Sequence, residues 1–210
     1  MITRRRRRQA VESILLAAAA FCSALPANGA TNIRIRMETG RGTIVLELFG
    51  DKAPQTVQNF LRYIDEGRYK EAAFYRTVRM DNQKHNPIKI EVIQGGLGYG
   101  PNSNRLPSIK LETTQQTGLK HLDGVISMAR KADPDSANSE FFICINDQPQ
   151  LDNGGMRYMD GLGFAAFGRV IAGMDVVRAI QMAPARGQML NEPVRIISIA
   201  REAELTAEPQ

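Results

Sequence analysis

Apolar and polar residues alternate in two neighbouring segments between residues 32 and 49. Alternation with a period of two predicts β-strands that bury one face. The turn Gly40-Arg41-Gly42 lies between the two segments, which indicates a hairpin. The apolar positions of the predicted strands are Ile33, Ile35, Met37, Ile44, Leu46 and Leu48.

Two other segments have helical spacing instead. In the first, Asp51 offers an N-cap and Pro54 suits a first turn, and the pattern ends at Gly67. Its apolar positions are Val57, Phe60, Leu61 and Ile64. We expect an amphipathic helix here that lies against a sheet, and a second helix over residues 174–182.

Short apolar runs separated by Gly, Pro, Asn and Asp predict six further strands. They cover residues 74–78, 88–93, 124–129, 140–145, 164–170 and 194–200. About eight strands and two helices without strand–helix alternation exclude a doubly wound fold. The pattern favours a mainly β domain, either a closed antiparallel barrel or a sandwich.

The first 30 residues differ from the rest of the chain. A basic block, Arg4 to Arg8, precedes an apolar run of about 12 residues, and small residues follow Pro26. This order is typical of a cleavable export signal, with the cut expected within residues 24–30; an uncleaved signal-anchor is the alternative. We therefore expect a domain over residues 31–201, a polar tail over 202–210, a periplasmic location and no stable membrane association after cleavage.

The net charge of +5 comes mostly from this leader. Without residues 1–30, the chain has 22 basic and 21 acidic side chains, a net charge of +1. A nearly neutral domain lacks the positive surface that phosphate backbones require. We therefore expect no nucleic-acid partner.

Most common catalytic arrangements lack their parts in this sequence. The two histidines, His85 and His121, have no nearby cysteines, so no metal site is predicted. There is no Gly-x-Ser-x-Gly segment, and the glycine cluster over residues 95–100 lacks the Lys-Ser/Thr pair of a phosphate loop. Cys144 lies inside an apolar run, which indicates a core residue.

Several short stretches that look ordinary one by one form a specific combination. They are Phe74-Tyr75-Arg76, Gln94-Gly95-Gly96, Gly124 to Ala129, Ser139 to Ile143, Leu151-Asp152 and Phe167-Gly168. In this order they resemble the cyclophilin family of peptidyl-prolyl cis-trans isomerases. The resemblance extends from about Ile33 to Ile199 and implies an eight-stranded antiparallel barrel capped by two helices.

The resemblance implies roles for individual residues. Arg76 would be the catalytic residue, Gln94 would bind the substrate backbone or position Arg76, and Phe142 would form the floor of a proline pocket. The remaining implied substrate-binding residues are Val92, Leu151, Phe164, Ala129, Arg130 and Glu140. No cofactor or metal is implied. The partners would be extended or unfolded chains that contain proline, bound by a monomer.

An arginine suits this chemistry because no covalent bond is made or broken. Rotation about an amide must overcome a barrier of about 18–20 kcal/mol that arises from its resonance. A guanidinium keeps its charge and can donate toward the proline nitrogen as the lone pair localises there. Preferential stabilisation of that twisted state is sufficient for catalysis.

Two departures from the family favour an alternative function. Well-known members have phenylalanine three residues before the glutamine, whereas this chain has Glu91, and residues 80–87 form an inserted loop near the site. Either change could disturb the pocket. The alternative is a chaperone module that binds proline-containing peptides with little or no isomerase turnover.

Overall fold

The computed structural model describes residues 33–202. The predicted signal peptide over residues 1–30 lies outside the described residues, as does the predicted tail apart from Glu202. That residue is attached to the barrel, since its amide donates to the carbonyl oxygen of Arg34 at 2.9 Å.

Eight antiparallel strands close into a barrel, as the resemblance implied. The strands follow one another around it in the order β1-β2-β7-β5-β6-β4-β3-β9, and β9 pairs with β1 to close the ring. A short ninth strand, β8, pairs only with β9. The strands are β1 (Ile33–Thr39), β2 (Gly42–Leu48), β3 (Ala73–Val78), β4 (Val92–Gly96), β5 (Val125–Met128), β6 (Phe141–Cys144), β7 (Ala165–Ala172), β8 (Ala185–Arg186) and β9 (Met189–Arg201).

Alternation along the strands separates two apolar clusters. Phe141 belongs to the main core inside the barrel, where it lies edge-on against Phe60 with ring centroids 5.5 Å apart. The next residue, Phe142, points to the opposite face of the sheet and belongs to a smaller second cluster. Cys144 is fully buried in this second cluster, which confirms its prediction as a core residue.

Two longer helices, α1 (Pro54–Asp65) and α3 (Met174–Gln181), confirm the predicted helices. A single helical turn, α2 (Thr114–Thr117), was not predicted because four residues are too few to show periodicity. Within residues 33–202, no helix is both long enough and apolar enough to cross a membrane.

The predicted N-cap of α1 is wrong. The N-cap is Ala53, not Asp51, and its side chain makes no capping hydrogen bond. The carboxylate of Glu112 caps the first turn instead, since it accepts hydrogen bonds from the amides of Gln55 and Thr56 at 3.1 and 2.8 Å. A distant carboxylate can satisfy the same free amides and complement the helix dipole.

The predicted strand over residues 88–93 also needs correction, because β4 begins at Val92 and ends at Gly96. Residues 79–91 form a loop that folds around Gln83. This side chain is only 3% exposed, and its amide nitrogen donates to the carbonyl oxygens of Arg79 and Ile90, both at 2.8 Å. The buried Gln83 side chain therefore holds residues 88–91 in a loop, although their apolar pattern predicted a strand.

Candidate active site

A cavity of about 300 Å³ lies on the outer side of strands β3, β4 and β6, over the second apolar cluster. Eight of the nine predicted site residues line it: Arg76, Val92, Gln94, Ala129, Arg130, Phe142, Leu151 and Phe164. Ile90, Tyr99, Arg157 and Tyr158 complete the lining. Residues from distant parts of the chain therefore surround one apolar pocket with polar groups at its edge.

Phe142 lies in the apolar part of this cavity. Its ring is perpendicular to that of Phe164, with centroids 5.5 Å apart, and stacks against His121 at 6.0 Å. Leu151 and Val92 pack in the same cluster and are 1% and 3% exposed. A rigid apolar floor of this kind suits the ring of a proline side chain.

Arg76 lies at the polar edge and is clamped by two glutamines. Its Nη1 donates to Oε1 of Gln94 at 2.7 Å, while Nε and Nη2 both donate to Oε1 of Gln188, at 3.0 and 2.5 Å. Gln188 lies in the turn between β8 and β9. Its own amide nitrogen donates to the carbonyl oxygen of Asn82 at 3.3 Å, so the inserted loop supports the clamp.

The orientation of Gln94 follows from its neighbours. The Tyr75 hydroxyl donates to Oε2 of Glu140 at 2.5 Å and must therefore accept from Nε2 of Gln94, at 2.9 Å. This leaves Oε1 of Gln94 to face Arg76. Burial and the Glu140 carboxylate raise the pKa of Tyr75, which keeps its hydroxyl protonated as this chain of hydrogen bonds requires.

Glu140, the ninth residue that the resemblance implied for substrate binding, does not line the proline cavity. It lines a neighbouring cavity of about 250 Å³ that shares Gln94, Tyr99, Ala129 and Arg130 with the first. Its carboxylate accepts hydrogen bonds from the amides of Leu97 and Gly98. It also forms an ion pair with Arg105, with Nη2 and Oε1 3.2 Å apart. Because Glu140 must satisfy these donors, it orders the glycine-rich loop beside the pocket.

The resemblance implied that Arg130 binds the substrate, and by resemblance its backbone would line the groove that holds the peptide. Its side chain is also part of the site and is fully buried. The guanidinium lies over the rings of Tyr158 and Phe164, 4.3 and 5.3 Å from their centroids, and pairs with Asp160 at 2.8 Å. It therefore holds the loop that carries Tyr158 against the pocket.

Glu91 does not enter the pocket. Its carboxylate accepts hydrogen bonds from Asn146 and Gln181, at 3.1 and 3.3 Å, on the other side of the strand. Ile90, 7% exposed, supplies the apolar wall in its place. The disturbance that we expected from Glu91 is thus absent, because the loop before β4 presents the preceding residue to the cavity.

A buried polar triad lies directly behind the pocket floor. Nδ1 of His121 lies 2.8 Å from Oδ1 of Asp152, and Nε2 lies 3.0 Å from Oγ of Ser127. These are the residue types of a hydrolase triad, but Ser127 is fully buried and cannot reach a substrate. The triad instead holds the imidazole flat against Phe142.

This triad predicts a loss of stability in mild acid. Burial lowers the pKa of His121, although Asp152 opposes that effect. The unfolded histidine, with a pKa of about 6.5, binds a proton first as the pH falls, so protonation favours unfolding. The contribution of His121 is complete above about pH 7 and is lost as the pH falls from about 6.5 toward its folded pKa.

We therefore expect the free energy of unfolding to fall between about pH 7 and 5.5, by at most about 1.4 kcal/mol per pH unit for this one proton. Urea titrations of wild type and His121→Gln measure the slope, which should be flatter in the variant. The exposed His85 is the control, and His85→Gln should keep the wild-type slope. Burial opposes ionisation of Asp152, but hydrogen bonds from His121 hold its pKa below the usual value. The Asp152 carboxylate therefore takes up a proton only at lower pH and does not affect the slope in this range. Identical slopes for wild type and His121→Gln would contradict the prediction.

Gln188, Arg157 and Ile90 are site residues that the sequence reasoning missed. Gln188 lies 112 positions from Arg76, and no local pattern connects the two. In the part of the chain that the structure describes, no group of three or more His, Cys, Asp or Glu residues could hold a metal ion. The polar groups of Arg76, Gln94 and Arg157 that line the apolar pocket are guanidinium and amide groups.

A closed barrel with an arginine at the edge of an apolar pocket is what the cyclophilin resemblance implied, and comparisons with known proteins agree. The family described as cyclophilin type peptidyl-prolyl cis-trans isomerase/CLD matches residues 34–201. Peptidyl-prolyl cis-trans isomerase B of Escherichia coli is 36% identical over 148 residues, 70% of this chain and 83% of its own. An isomerase of Acinetobacter baylyi is 32% identical over 189 residues, 87% of this chain and 93% of its own.

A solved structure shares the fold. The cyclophilin-type isomerase of Cryptosporidium parvum superimposes with a TM-score of 0.65 at 24% identity, covering 82% of this chain and 98% of its own. The chain belongs to the cyclophilin family and is a cyclophilin-type peptidyl-prolyl cis-trans isomerase.

Proposed function

We propose that this isomerase assists the folding of exported proteins in the periplasm, acting as a monomer on extended segments that contain proline. The main support for the enzymatic activity is the position of the Arg76 guanidinium. It is held by Gln94 and Gln188 at the edge of the pocket whose floor is Phe142. The periplasmic part is supported by the basic and apolar leader in residues 1–30. Uncatalysed isomerisation takes tens to hundreds of seconds, which is slow enough to limit folding.

In the proposed mechanism, the proline ring packs against Phe142 and the prolyl nitrogen faces Arg76. As the bond twists, conjugation is lost and the nitrogen lone pair becomes a hydrogen-bond acceptor. Three N–H groups of Arg76 are used by the two glutamines, so two of its five remain for the substrate. Because the clamp fixes the guanidinium beforehand, little reorganisation is needed in the transition state.

The shape of the site supports rotation rather than binding alone. The apolar floor holds the proline side while the part of the chain before the bond remains free to turn in the open groove. A site that bound only one isomer tightly would slow release, and the two isomers differ by only about 0.5–1 kcal/mol. Because Ile90 restores the wall that Glu91 was expected to break, nothing at that position favours the chaperone alternative.

A refolding assay tests the proposed activity on protein substrates. The substrate is a protein whose refolding is limited by formation of a native cis-proline bond. We expect the purified protein over residues 31–210 to accelerate the slow phase in proportion to its concentration. NMR exchange spectroscopy on a proline tetrapeptide, with cross-peaks between cis and trans signals, measures turnover independently. Peptide binding without such cross-peaks would instead support the chaperone alternative.

Cell fractionation tests the location. The full-length chain should appear in the periplasmic fraction with an N-terminus between residues 25 and 31, and a variant without residues 1–30 should remain in the cytoplasm. A full-length chain that stays in the membrane fraction would identify the leader as a signal-anchor. Light scattering of the processed protein should give the mass of a monomer.

A further inference from the structure

Arg157 is a second cation in the proline cavity. It lies in the loop between Leu151 and β7, is half-buried and lines the same cavity as Arg76 and Phe142. Its Nη1 donates to Oε1 of Gln83 at 2.8 Å and to the carbonyl oxygen of Ile88. The loop over residues 79–91, which contains the inserted residues 80–87, therefore fixes one end of this guanidinium.

The charge of Arg157 has no carboxylate partner within residues 33–202. Both of its acceptors are neutral oxygens, and the same is true of Arg76, whose acceptors are glutamine oxygens. Arg130, the third arginine around the cavity, is instead paired with Asp160. The residues that line the cavity include no Asp or Glu. Two uncompensated cations thus share one partly desolvated wall.

Burial and the charge of Arg76 both disfavour the protonated form of Arg157 and lower its pKa. This arrangement costs free energy in the empty site, because like charges repel and water is partly excluded. An anionic ligand relieves both costs at once. The site is therefore electrostatically prepared for a negative charge close to the proline.

The unused donors of Arg157 have the geometry of a carboxylate site. Both hydrogen bonds that Arg157 makes come from Nη1, so among the described residues Nε and Nη2 donate to no partner. The N–H groups of Nε and Nη2 on one edge of a guanidinium are parallel and match the two oxygens of a carboxylate.

We propose that Arg157 is a substrate-binding residue that recognises a carboxylate side chain adjacent to the proline, so that acidic proline segments are preferred substrates. The proposal rests on the isomerase site described above and narrows its substrate class. Arg157 binds the acidic side chain while Arg76 remains available for the prolyl nitrogen. The preference is electrostatic and weakens as salt screens the charges.

A matched set of peptides tests this assignment. Acetylated and amidated peptides Gly-Ala-Xaa-Pro-Yaa-Gly carry Glu, Gln or Lys at either Xaa or Yaa, with Ala at the other position. Exchange spectroscopy gives kcat/KM for each, normalised to the uncatalysed rate of the same peptide. At one of the two positions we expect Glu to exceed Gln about tenfold at about 20 mM salt, Lys to fall below Gln, and the differences to shrink at about 300 mM.

Variants of Arg157 test whether this residue causes the preference for Glu peptides. Arg157→Gln should bring the ratio of Glu to Gln peptides close to one, and Arg157→Lys should keep part of it, because the charge remains while the paired donors are lost. Arg62→Gln, which removes an exposed cation of α1, is the control for net charge and should keep the wild-type ratio. A ratio that survives in Arg157→Gln would overturn the assignment.

The wild-type measurements are decisive even if Arg157→Gln fails to fold. Equal turnover of Glu and Gln peptides at both positions would refute the proposal while leaving the isomerase function intact. Failure to isomerise any of the peptides, the neutral ones included, would instead count against the proposed active site. A Glu preference that persists unchanged at high salt would also contradict recognition by charge.

Discussion

Replacing Arg76 with lysine should lower kcat/KM for prolyl isomerisation by about 10²- to 10³-fold, which corresponds to about 2.7–4 kcal/mol of transition-state stabilisation. Lysine keeps the positive charge, but it cannot bond Gln94 and Gln188 through separate donors and still donate to the prolyl nitrogen. Exchange spectroscopy on a neutral proline peptide measures the loss. We expect most of it in kcat, because the apolar contacts that hold the proline ring do not involve the guanidinium.

Two further variants make this result interpretable. Arg201→Lys changes an exposed arginine that pairs with Asp65 on the barrel surface and should retain wild-type turnover. Gln188→Ala removes one side of the clamp but leaves the guanidinium, so a smaller loss of about tenfold in kcat is expected. Activity of Arg76→Lys within threefold of wild type would show that charge alone suffices and that the clamped fork has no catalytic role.

Replacing Phe142 with alanine should have the second large effect, on both stability and substrate binding. The ring is 4% exposed and packs between Phe164 and His121, so its loss leaves a cavity that lowers the free energy of unfolding by about 3–5 kcal/mol. The same cavity removes the surface against which the proline ring packs. Urea titration measures the first effect, and KM for a proline peptide, expected to rise at least about tenfold, measures the second.

A matched pair of milder variants separates the two effects. Phe142→Leu and Phe167→Leu both shorten a buried aromatic residue, but Phe167 lies in the barrel core, on the other side of the sheet from the pocket. Both variants should lose stability, and only Phe142→Leu should raise KM. An equal rise in KM for the two would mean that loosening the barrel, rather than losing the floor, weakens binding.

The succession of strands and the two longer helices could be predicted because each depends on residues close together in sequence. Alternation over residues 32–49 requires one buried face whatever the partner strand is, and the spacing of Val57, Phe60 and Ile64 requires a helix that buries one side. The local patterns left barrel and sandwich equally open. Closure depends on the pairing of β1 with β9, which are separated by most of the domain.

Errors arose where a distant residue satisfied a local need. Asp51 is a suitable N-cap by type, but Glu112 reaches the same amides from another part of the chain. Residues 88–91 are suitable for a strand by pattern, but Gln83 binds both backbone groups of Ile90 and keeps them out of the sheet. In both places the competing hydrogen bonds come from side chains whose position is set by the fold.

The resemblance to cyclophilins pointed to Arg76, Gln94 and Phe142 because the short segments that contain them match motifs of that family and occur in the same order. It left open whether Glu91 disturbs the pocket, because counting residues back from Gln94 does not show which side chain faces the cavity. The bend before β4 brings Ile90 to the cavity and turns Glu91 toward Asn146. A shift of one residue along an extended segment reverses the side that each side chain faces.

Local order along the chain was enough to predict the eight strands of the barrel and the two longer helices, since these follow from periodicity within single elements. The central residues of the pocket were implied by the resemblance of short segments to the cyclophilin family. The clamp of Gln188 on Arg76, the wall formed by Ile90 and the unpaired charge of Arg157 emerge only after the barrel closes. Each depends on side chains from separate loops meeting in space. These contacts are determined by long-range packing and by the requirement that buried polar groups form hydrogen bonds. Neither produces a periodic pattern in the sequence.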